Sequence, residues 1–364
     1  MESASLASIA LAAALVVAAG CSAPRKSEAE YRLVLPADAT RLSSGENALS
    51  PASTLVLDLR GDPLDAAAVE EAVASLRRIG LPVAVWLEVA RDPALADERP
   101  EWMAGLGVHE DWRERFPDAP APRDGFVLKA WPWVPIGYAE AFARHLSRVA
   151  ERLGAVPGGA DVVFLSGIQG GPSACGCGND SCRWAIDYHV PPTATPAWEP
   201  STPARFVESV EKTLPRDSRV VPVWCVECEE RDLPEEGPGA RCAGVRCFHG
   251  LCWLESGQQL AAIAAPPGRS IAVLLASRAL GRVPDDAGFA AEAARLLEAE
   301  SPRRGGPAIE AKRLVAVVEA FAREPEAVAR DVASARAAGY GSVLVAETPL
   351  PQSFEPRSVA IPRR

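Results

Sequence analysis

Short apolar runs alternate with amphipathic segments along most of the chain. Eight of the runs predict strands: STLVLDLRGDP, LPVAVWLEVARDP, DGFVLKAWPWVPI, DVVFLSGI, SRVVPVWCVEC, SIAVLLAS, KRLVAVVEAF and SVLVAET. Most are followed by one amphipathic helix, such as LDAAAVEEAVASLRRIG, which ends at Gly80. Apolar strands separated by single helices indicate parallel pairing through right-handed crossovers.

Eight strand–helix units over roughly 300 residues predict an α/β fold, a (β/α)8 TIM-type barrel spanning residues 52–350. The alternative is an open, doubly wound sheet. No G-x-G-x-x-G follows the first strand, which disfavours the dinucleotide-binding version of that sheet. In a barrel the active face lies at the carboxyl ends of the strands, and the long loops after strands two, four and five all fall there.

The N-terminus has the features of an export signal. Leu6 to Ala19 is an apolar run of secretory length, too short for a comfortable membrane span, and it ends in the sequence AAGC at Cys21. Small residues before a cysteine resemble the lipobox of bacterial lipoproteins, in which the cysteine is lipidated and becomes the first mature residue. An uncleaved apolar anchor is the alternative. No other apolar run is long enough to span a bilayer.

The lipobox resemblance implies a division of the chain around the barrel. Residues 1–20 form the signal peptide, and residues 21–51 form a lipidated tether with a short strand near 31–35. Residues 351–364 form a C-terminal tail. The folded part is then expected to be lipid-anchored at Cys21 in the bacterial cell envelope, facing the periplasm or the cell exterior, so that the membrane is one partner.

The charge distribution argues against nucleic acid as another partner. The formal net charge is −10, and acidic and basic residues are interspersed without a basic stripe. Because phosphate binding requires clustered Lys and Arg, we expect no nucleic-acid partner.

Eight of the nine cysteines are concentrated in two predicted loops, the insertions at 167–190 and 225–256 after strands four and five. They are Cys175, Cys177, Cys182, Cys225, Cys228, Cys242, Cys247 and Cys252. In an exported chain the expectation is disulfides that join the two loops, and no cofactor. The C-x-C and C-x2-C spacings leave open tetrahedral Zn²⁺ or another thiolate-bound metal, and also a redox-active thiol pair.

Carboxylates fall at or just beyond several predicted strand ends. The candidate catalytic residues are Asp58, Glu88, Glu227, Glu319 and Glu347. Paired carboxylates, one of them with a raised pKa, are what glycoside hydrolysis requires. The alternative for any one of them is a helix cap or an ion pair with a neighbouring cation.

Aromatic and polar residues lie in or beside the same loops. The candidate substrate-binding residues are Trp131, Trp133, Gln169, Arg183, Trp184 and Trp253. Flat aromatic faces that stack on sugar rings are typical of a carbohydrate cleft. The alternative for the tryptophans is core packing or an apolar lid.

Strand count and site placement over residues 52–350 make the chain similar to the glycoside-hydrolase-like TIM barrels. In the best-known clan of that group the acid/base glutamate ends strand four and the nucleophile ends strand seven. Glu319 matches the strand-seven position, whereas strand four leads to Gly167, Ile168 and Gln169. The resemblance therefore implies that Glu88 or Glu227 supplies the acid.

The sequence leaves three functional hypotheses. The first is an envelope-tethered glycoside hydrolase acting on a poly- or oligosaccharide by carboxylate acid/base chemistry. The second is a non-catalytic barrel lipoprotein that binds a glycan or another ligand. The third is a metal-thiolate protein with zinc or iron at the cysteines. No H-E-x-x-H, G-x-S-x-G or Walker loop favours a metalloprotease, serine hydrolase or nucleotide hydrolase.

Overall fold

The fold is a closed barrel of eight parallel strands. The computed structural model describes residues 30–43, 53–104, 126–168, 202–226, 263, 265–275, 290–291, 293–295, 297–298, 307–350 and 355–360. The barrel strands are β1 (Glu30–Val34), β2 (Ser53–Asp58), β3 (Ala84–Glu88), β5 (Val162–Ser166), β6 (Arg219–Val226), β7 (Ile271–Leu275), β8 (Leu314–Glu319) and β9 (Ser342–Ala346). Each pairs in parallel with its neighbours, and β1 closes the ring on β9. The (β/α)8 prediction is confirmed.

Among the residues that the structure describes, two further strands lie outside the barrel, and they correct the predicted strand membership. Strand β4 (Phe126–Trp131), expected as the third barrel strand, pairs antiparallel with β10 (Glu355–Ala360) in a separate two-stranded sheet. Strands β3 and β5 pair directly, and the eighth barrel strand is β1, which stands between β9 and β2. Strand β1 belongs to the segment expected to be a tether. The barrel therefore begins at Glu30 rather than near residue 52, and the expected tail contributes β10.

Most of the described helices cover the outside of the barrel between its strands. The helices are α1 (Pro36–Ser43), α2 (Ala66–Arg78), α3 (Pro93–Glu98), α4 (Ala139–Gly154), α5 (Thr202–Thr213) and α6 (Pro325–Ala337), with single 3-10 turns at Pro100–Trp102 and Ala311–Arg313. Helix α3 packs instead in a separate small cluster. Asp65 caps α2 by accepting a hydrogen bond from the Ala68 N–H, and Asp92 caps α3 through the Leu95 N–H. Among the helices that the structure describes, none has the length and apolar character needed to cross a membrane.

The core has two layers because successive residues of each barrel strand face opposite sides. One set of side chains fills the barrel interior, where Trp86 stacks on Phe164 with ring centroids 5.9 Å apart. The alternate set, which includes Leu57, Leu87 and Val318, packs outward against the helices. This division decides which strand-end residues can reach a site inside the barrel mouth.

The β4–β10 sheet packs beside the carboxyl end of the barrel. Leu128, Ala130 and Trp133 join the inner core cluster, while Trp131 and Val359 contact a small cluster that contains Leu95, Met103 and Tyr138. The Lys129 ammonium is buried in this region and donates hydrogen bonds to the carbonyls of Glu101 (3.2 Å) and Met103 (2.8 Å). The sheet is thereby fixed to the segment that follows β3.

Candidate functional site

Three of the candidate carboxylates lie on the inward register at the carboxyl ends of their strands. Asp58 is two residues beyond the interior residue Val56, Glu88 is two beyond Trp86, and Glu319 is two beyond Val317. All three are at least nine-tenths buried. Because all barrel strands are parallel, their carboxyl ends form one rim, so the three side chains converge on the barrel mouth.

Asp58 forms a buried ion pair with Arg60, the next inward residue. Arg60 Nη2 lies 2.6 Å from Asp58 Oδ2 and Nε lies 2.9 Å from Oδ1, while Nη2 also donates to Thr348 Oγ1 at 3.0 Å. Burial alone would raise the pKa of Asp58, but hydrogen bonds and positive charge from Arg60 outweigh it and hold the pKa below its ordinary value. Asp58 is therefore ionised at neutral pH.

Glu88 stands in a different environment. Burial raises its pKa, and the positive charges of Arg60 and Arg91 only partly oppose that rise. Trp133, which is fully buried, and Glu88 both lie next to Gly167. A Cβ placed on Gly167 would stand 3.1 Å from Trp133 Cζ3 and 3.2 Å from Glu88 Cγ, so both side chains approach the glycine closely. The site therefore favours the protonated form of Glu88.

Glu319 lies across the barrel from Glu88. In the circular strand order, β3 and β8 are four strands apart in either direction. Glu319 Oε1 accepts a hydrogen bond from the Leu350 N–H at 3.0 Å. Burial would lower the pKa of Arg60, but Asp58, Glu88 and Glu319 together raise it, so the guanidinium lies within the field of all three carboxylates. The charge of Arg60 thus acts on all three acids.

Glu347 is not part of this group. It follows β9 on the outward register, one residue after the interior residue Ala346, and its carboxylate is 37% exposed. Its Oε1 lies 2.7 Å from Nε of Arg32, an outward residue of β1. We therefore leave Glu347 out of the catalytic arrangement.

The two described tryptophans expected to bind sugar do not form an open platform. Trp131 donates a hydrogen bond from Nε1 to Asp97 Oδ1 at 2.9 Å, and the Arg357 guanidinium covers its ring at 3.8 Å from the centroid. Trp133 has no exposed surface. Both are engaged in packing, which is the alternative that their sequence context left open.

The other predicted site residues fall outside the described residues. They are Glu227, Gln169, Arg183, Trp184, Trp253, Cys21, Cys175, Cys177, Cys182, Cys228, Cys242, Cys247 and Cys252. Cys225 belongs to β6, but its side chain is outside the description too. Within the described ranges, no group of three or more His, Cys, Asp or Glu side chains is arranged to hold a metal ion.

Sequence reasoning missed two residues of the rim. Arg60 lies two positions after Asp58, and the two-residue period of a strand could have placed both on one face. Phe321 follows Glu319 by two residues and is 47% exposed. The N–H groups of Ala320 and Phe321 both donate to the Ala346 carbonyl, which fixes this loop beside the end of β9. A phenylalanine two residues after the strand-ending glutamate could have identified this position from the sequence.

Comparison with known proteins adds weak likenesses only. No family model matches the sequence, and no curated protein matches it. An endo-1,4-β-D-mannanase from Thermotoga petrophila RKU-1 is 10% identical with a TM-score of 0.42, covering 86% of this chain and 82% of that chain. The Bacillus cereus spore cortex-lytic enzyme SleL is 8% identical with a TM-score of 0.40, covering 88% and 71%. Citrate synthase SbnG is 9% identical with a TM-score of 0.35, covering 88% and 85%. Likenesses of this strength support no functional argument.

Proposed function

We propose that the chain is a glycoside hydrolase in which Glu88 is the general acid and Glu319 is the second carboxylate. One observation carries the proposal: two buried glutamates face the barrel mouth from opposite walls, and the pKa of Glu88 is raised by burial. Hydrolysis of a glycosidic bond needs a protonated and an ionised carboxyl group on either side of the scissile bond.

In this mechanism Glu88 gives its proton to the leaving oxygen while Glu319 acts at the anomeric carbon. Glu319 either attacks that carbon or activates a water molecule, depending on the separation of the two carboxyl groups. Asp58 is already neutralised by Arg60, so it serves to hold the guanidinium in place rather than to transfer protons.

The test compares Glu88→Gln, Glu319→Gln and Glu347→Gln for release of reducing ends from a panel of neutral and acidic polysaccharides. We expect each of the first two variants to lose about 10²–10⁴-fold in kcat, the usual contribution of general acid–base groups. Glu347→Gln is the matched control, because its carboxylate lies on the outer face, and it should keep full activity. Full activity in either of the first two variants contradicts the proposal. Glycan binding without release favours a non-catalytic glycan-binding barrel instead.

The raised pKa of Glu88 also predicts a pH dependence. Protonation is required for acid catalysis, so kcat/KM should fall as the pH rises through the pKa of Glu88. A matched comparison is the pH profile of the residual kcat/KM of the Glu88→Gln variant, which has no such group and should lack this alkaline limb. A wild-type rate that instead rises through the same pH range contradicts the assignment of Glu88 as the acid.

We propose further that the mature protein is held in the cell envelope by a lipid on Cys21, as the lipobox resemblance implies. In a bacterial host supplied with labelled palmitate, the protein should then take up the label and a Cys21→Ser variant should not. A membrane-bound wild-type protein that takes up no label would support an uncleaved apolar anchor and contradict lipidation.

A further inference from the structure

The Arg60 guanidinium has one nitrogen that the described residues leave unsatisfied. Its side chain is only 2% exposed. Nε and Nη2 donate to Asp58, and Nη2 also donates to Thr348, but Nη1 is buried and has no hydrogen-bond partner in the described part of the chain. Leaving a buried charged donor unpaired is costly, so the arrangement suits a ligand that brings an acceptor oxygen.

The position of Arg60 indicates which ligand group this is. Glu88 on one wall of the barrel and Glu319 on the opposite wall both interact electrostatically with its guanidinium, and both raise the pKa of Arg60. A sugar whose glycosidic bond lies between these two glutamates therefore has Arg60 within its surroundings. The inference rests in this respect on the proposed function.

A sugar can supply the missing acceptor. Because Nε and Nη2 of Arg60 both donate to Asp58, Nη1 lies on the other side of the planar guanidinium. A sugar ring carries several hydroxyl groups, and each of them can accept a hydrogen bond. We infer that a ring hydroxyl of the sugar between the glutamates accepts a hydrogen bond from Arg60 Nη1.

The experiment measures binding rather than turnover, using protein that carries Glu88→Gln so that glycans are not degraded. Replacing Arg60 alone would leave Asp58 as an unpaired buried charge and could unfold the protein. The test variant is therefore the double substitution Asp58→Asn with Arg60→Gln. The matched control is Glu211→Gln with Arg269→Gln. That pair is also a close ion pair, with Arg269 Nη2 2.6 Å from Glu211 Oε2, but Arg269 precedes β7 at the opposite end of the barrel.

The probes are neutral polysaccharides such as mannan, xylan and glucan, with polygalacturonate and alginate as anionic counterparts. We expect the parent to bind one of these polymers and the Asp58/Arg60 double variant to bind it about tenfold or more weakly, the usual effect of losing a hydrogen bond to a charged group. Circular dichroism should show that both double variants are folded, and the control should bind as the parent does.

Equal binding by the parent and a folded Asp58/Arg60 variant overturns the inference. This outcome is separable from failure of the proposed function. Hydrolysis with binding that does not depend on Arg60 overturns this inference alone, whereas Arg60-dependent binding without hydrolysis by the wild type overturns the proposed function alone.

Discussion

Gly167 follows β5 with a φ of 63°, in the left-handed region that residues with a Cβ rarely adopt. A Cβ on this residue would also meet Trp133 and Glu88 at close range. The glycine therefore allows the chain to turn out of β5 and at the same time leaves space for the proposed acid. The backbone turn after β5 and the surroundings of Glu88 are therefore coupled through Gly167, which has no side chain.

Substituting Gly167→Ala tests this coupling. The left-handed backbone costs about 1–2 kcal/mol for an alanine, and overpacking against two buried side chains adds about 1–3 kcal/mol. We expect the free energy of unfolding in urea to fall by the sum of these effects. Gly80→Ala is the matched control, because Gly80 also has a left-handed φ of 74° but no atom lies within 4 Å of its added Cβ. Equal losses in the two variants would falsify the packing argument.

The site residues were only partly predictable from the sequence. Asp58, Glu88 and Glu319 could be found because each ends an apolar run. Glu347 ends one too, yet it faces outward. Both faces of a parallel barrel strand are apolar, so the sequence does not reveal which alternate residues point inside. Only the strand register separates the rim carboxylates from the outer one.

At the scale of elements, β1 and β4 show why strands were easier to recognise than to place. Both have the length and composition of a strand, and both carry a cation in the middle: Arg32 in EYRLV and Lys129 in FVLKAW. In β4, which lies outside the barrel, the Lys129 ammonium is buried and donates to two carbonyls. In β1 the cation is tolerated because Arg32 faces outward and stays partly exposed in its ion pair with Glu347. Local pattern does not distinguish these two cases.

His145 joins helix α4 to the segment after β4. Because this histidine is buried, we expect the free energy of unfolding to fall in acid. The Nε2 of His145 lies 2.8 Å from the Val134 carbonyl and donates to it, and burial lowers the pKa of His145 to about 4. An unfolded histidine titrates near 6.5, so the unfolded state binds more protons between these values. The contribution of His145 to the free energy of unfolding is therefore fully present above pH 6.5. It is lost, by roughly 3 kcal/mol in all, as the pH drops toward 4.

His145→Gln should remove this dependence, because glutamine can donate to Val134 but does not titrate. Urea unfolding at pH 7, 6, 5 and 4 would measure the difference between the two proteins. A second loss, below about pH 4, should persist in both, since Asp58 has a lowered pKa and its contribution disappears as the pH falls below the value near 3.8 of an unfolded aspartate. If the free energy of unfolding of the His145→Gln variant still falls between pH 6.5 and 4 as it does in the wild type, the assignment to His145 is contradicted.

At the scale of the whole molecule, the strands that precede the cysteine-rich segments end at the same end of the barrel as the carboxylate rim. The chain leaves β5 at Ser166 and β6 at Val226, both at the carboxyl ends of their strands. Joining these two connections by disulfides would restrain the surroundings of Glu88 and Glu319, whereas a metal centre there would be a separate site. The barrel itself could be predicted from repeated local patterns, but cysteine partners depend on contacts distant in sequence.

We expect the exported protein to contain four disulfides among its eight clustered cysteines. The intact mass under denaturing conditions should then rise by about 8 Da on reduction, because each disulfide takes up two hydrogens. Elemental analysis of the same sample should find no stoichiometric zinc or iron. A metal-loaded protein whose mass does not change on reduction would instead support the thiolate-metal alternative. Protein kept reduced throughout purification is the control for the mass of the free thiols.

The pairing of β1 with β9 has a consequence for the order in which the molecule can assemble. Glu30 pairs with Val343 and Leu33 with Ala346, so the contacts that seal the ring join its first and last strands along the chain. Pairings between residues this distant in sequence form slowly. Until β9 is made, β1 keeps an open edge, and such an edge can recruit strands from other chains. Synthesis therefore leaves the ring unsealed, and its growing sheet vulnerable to aggregation, until all the other barrel strands and then β9 have been added.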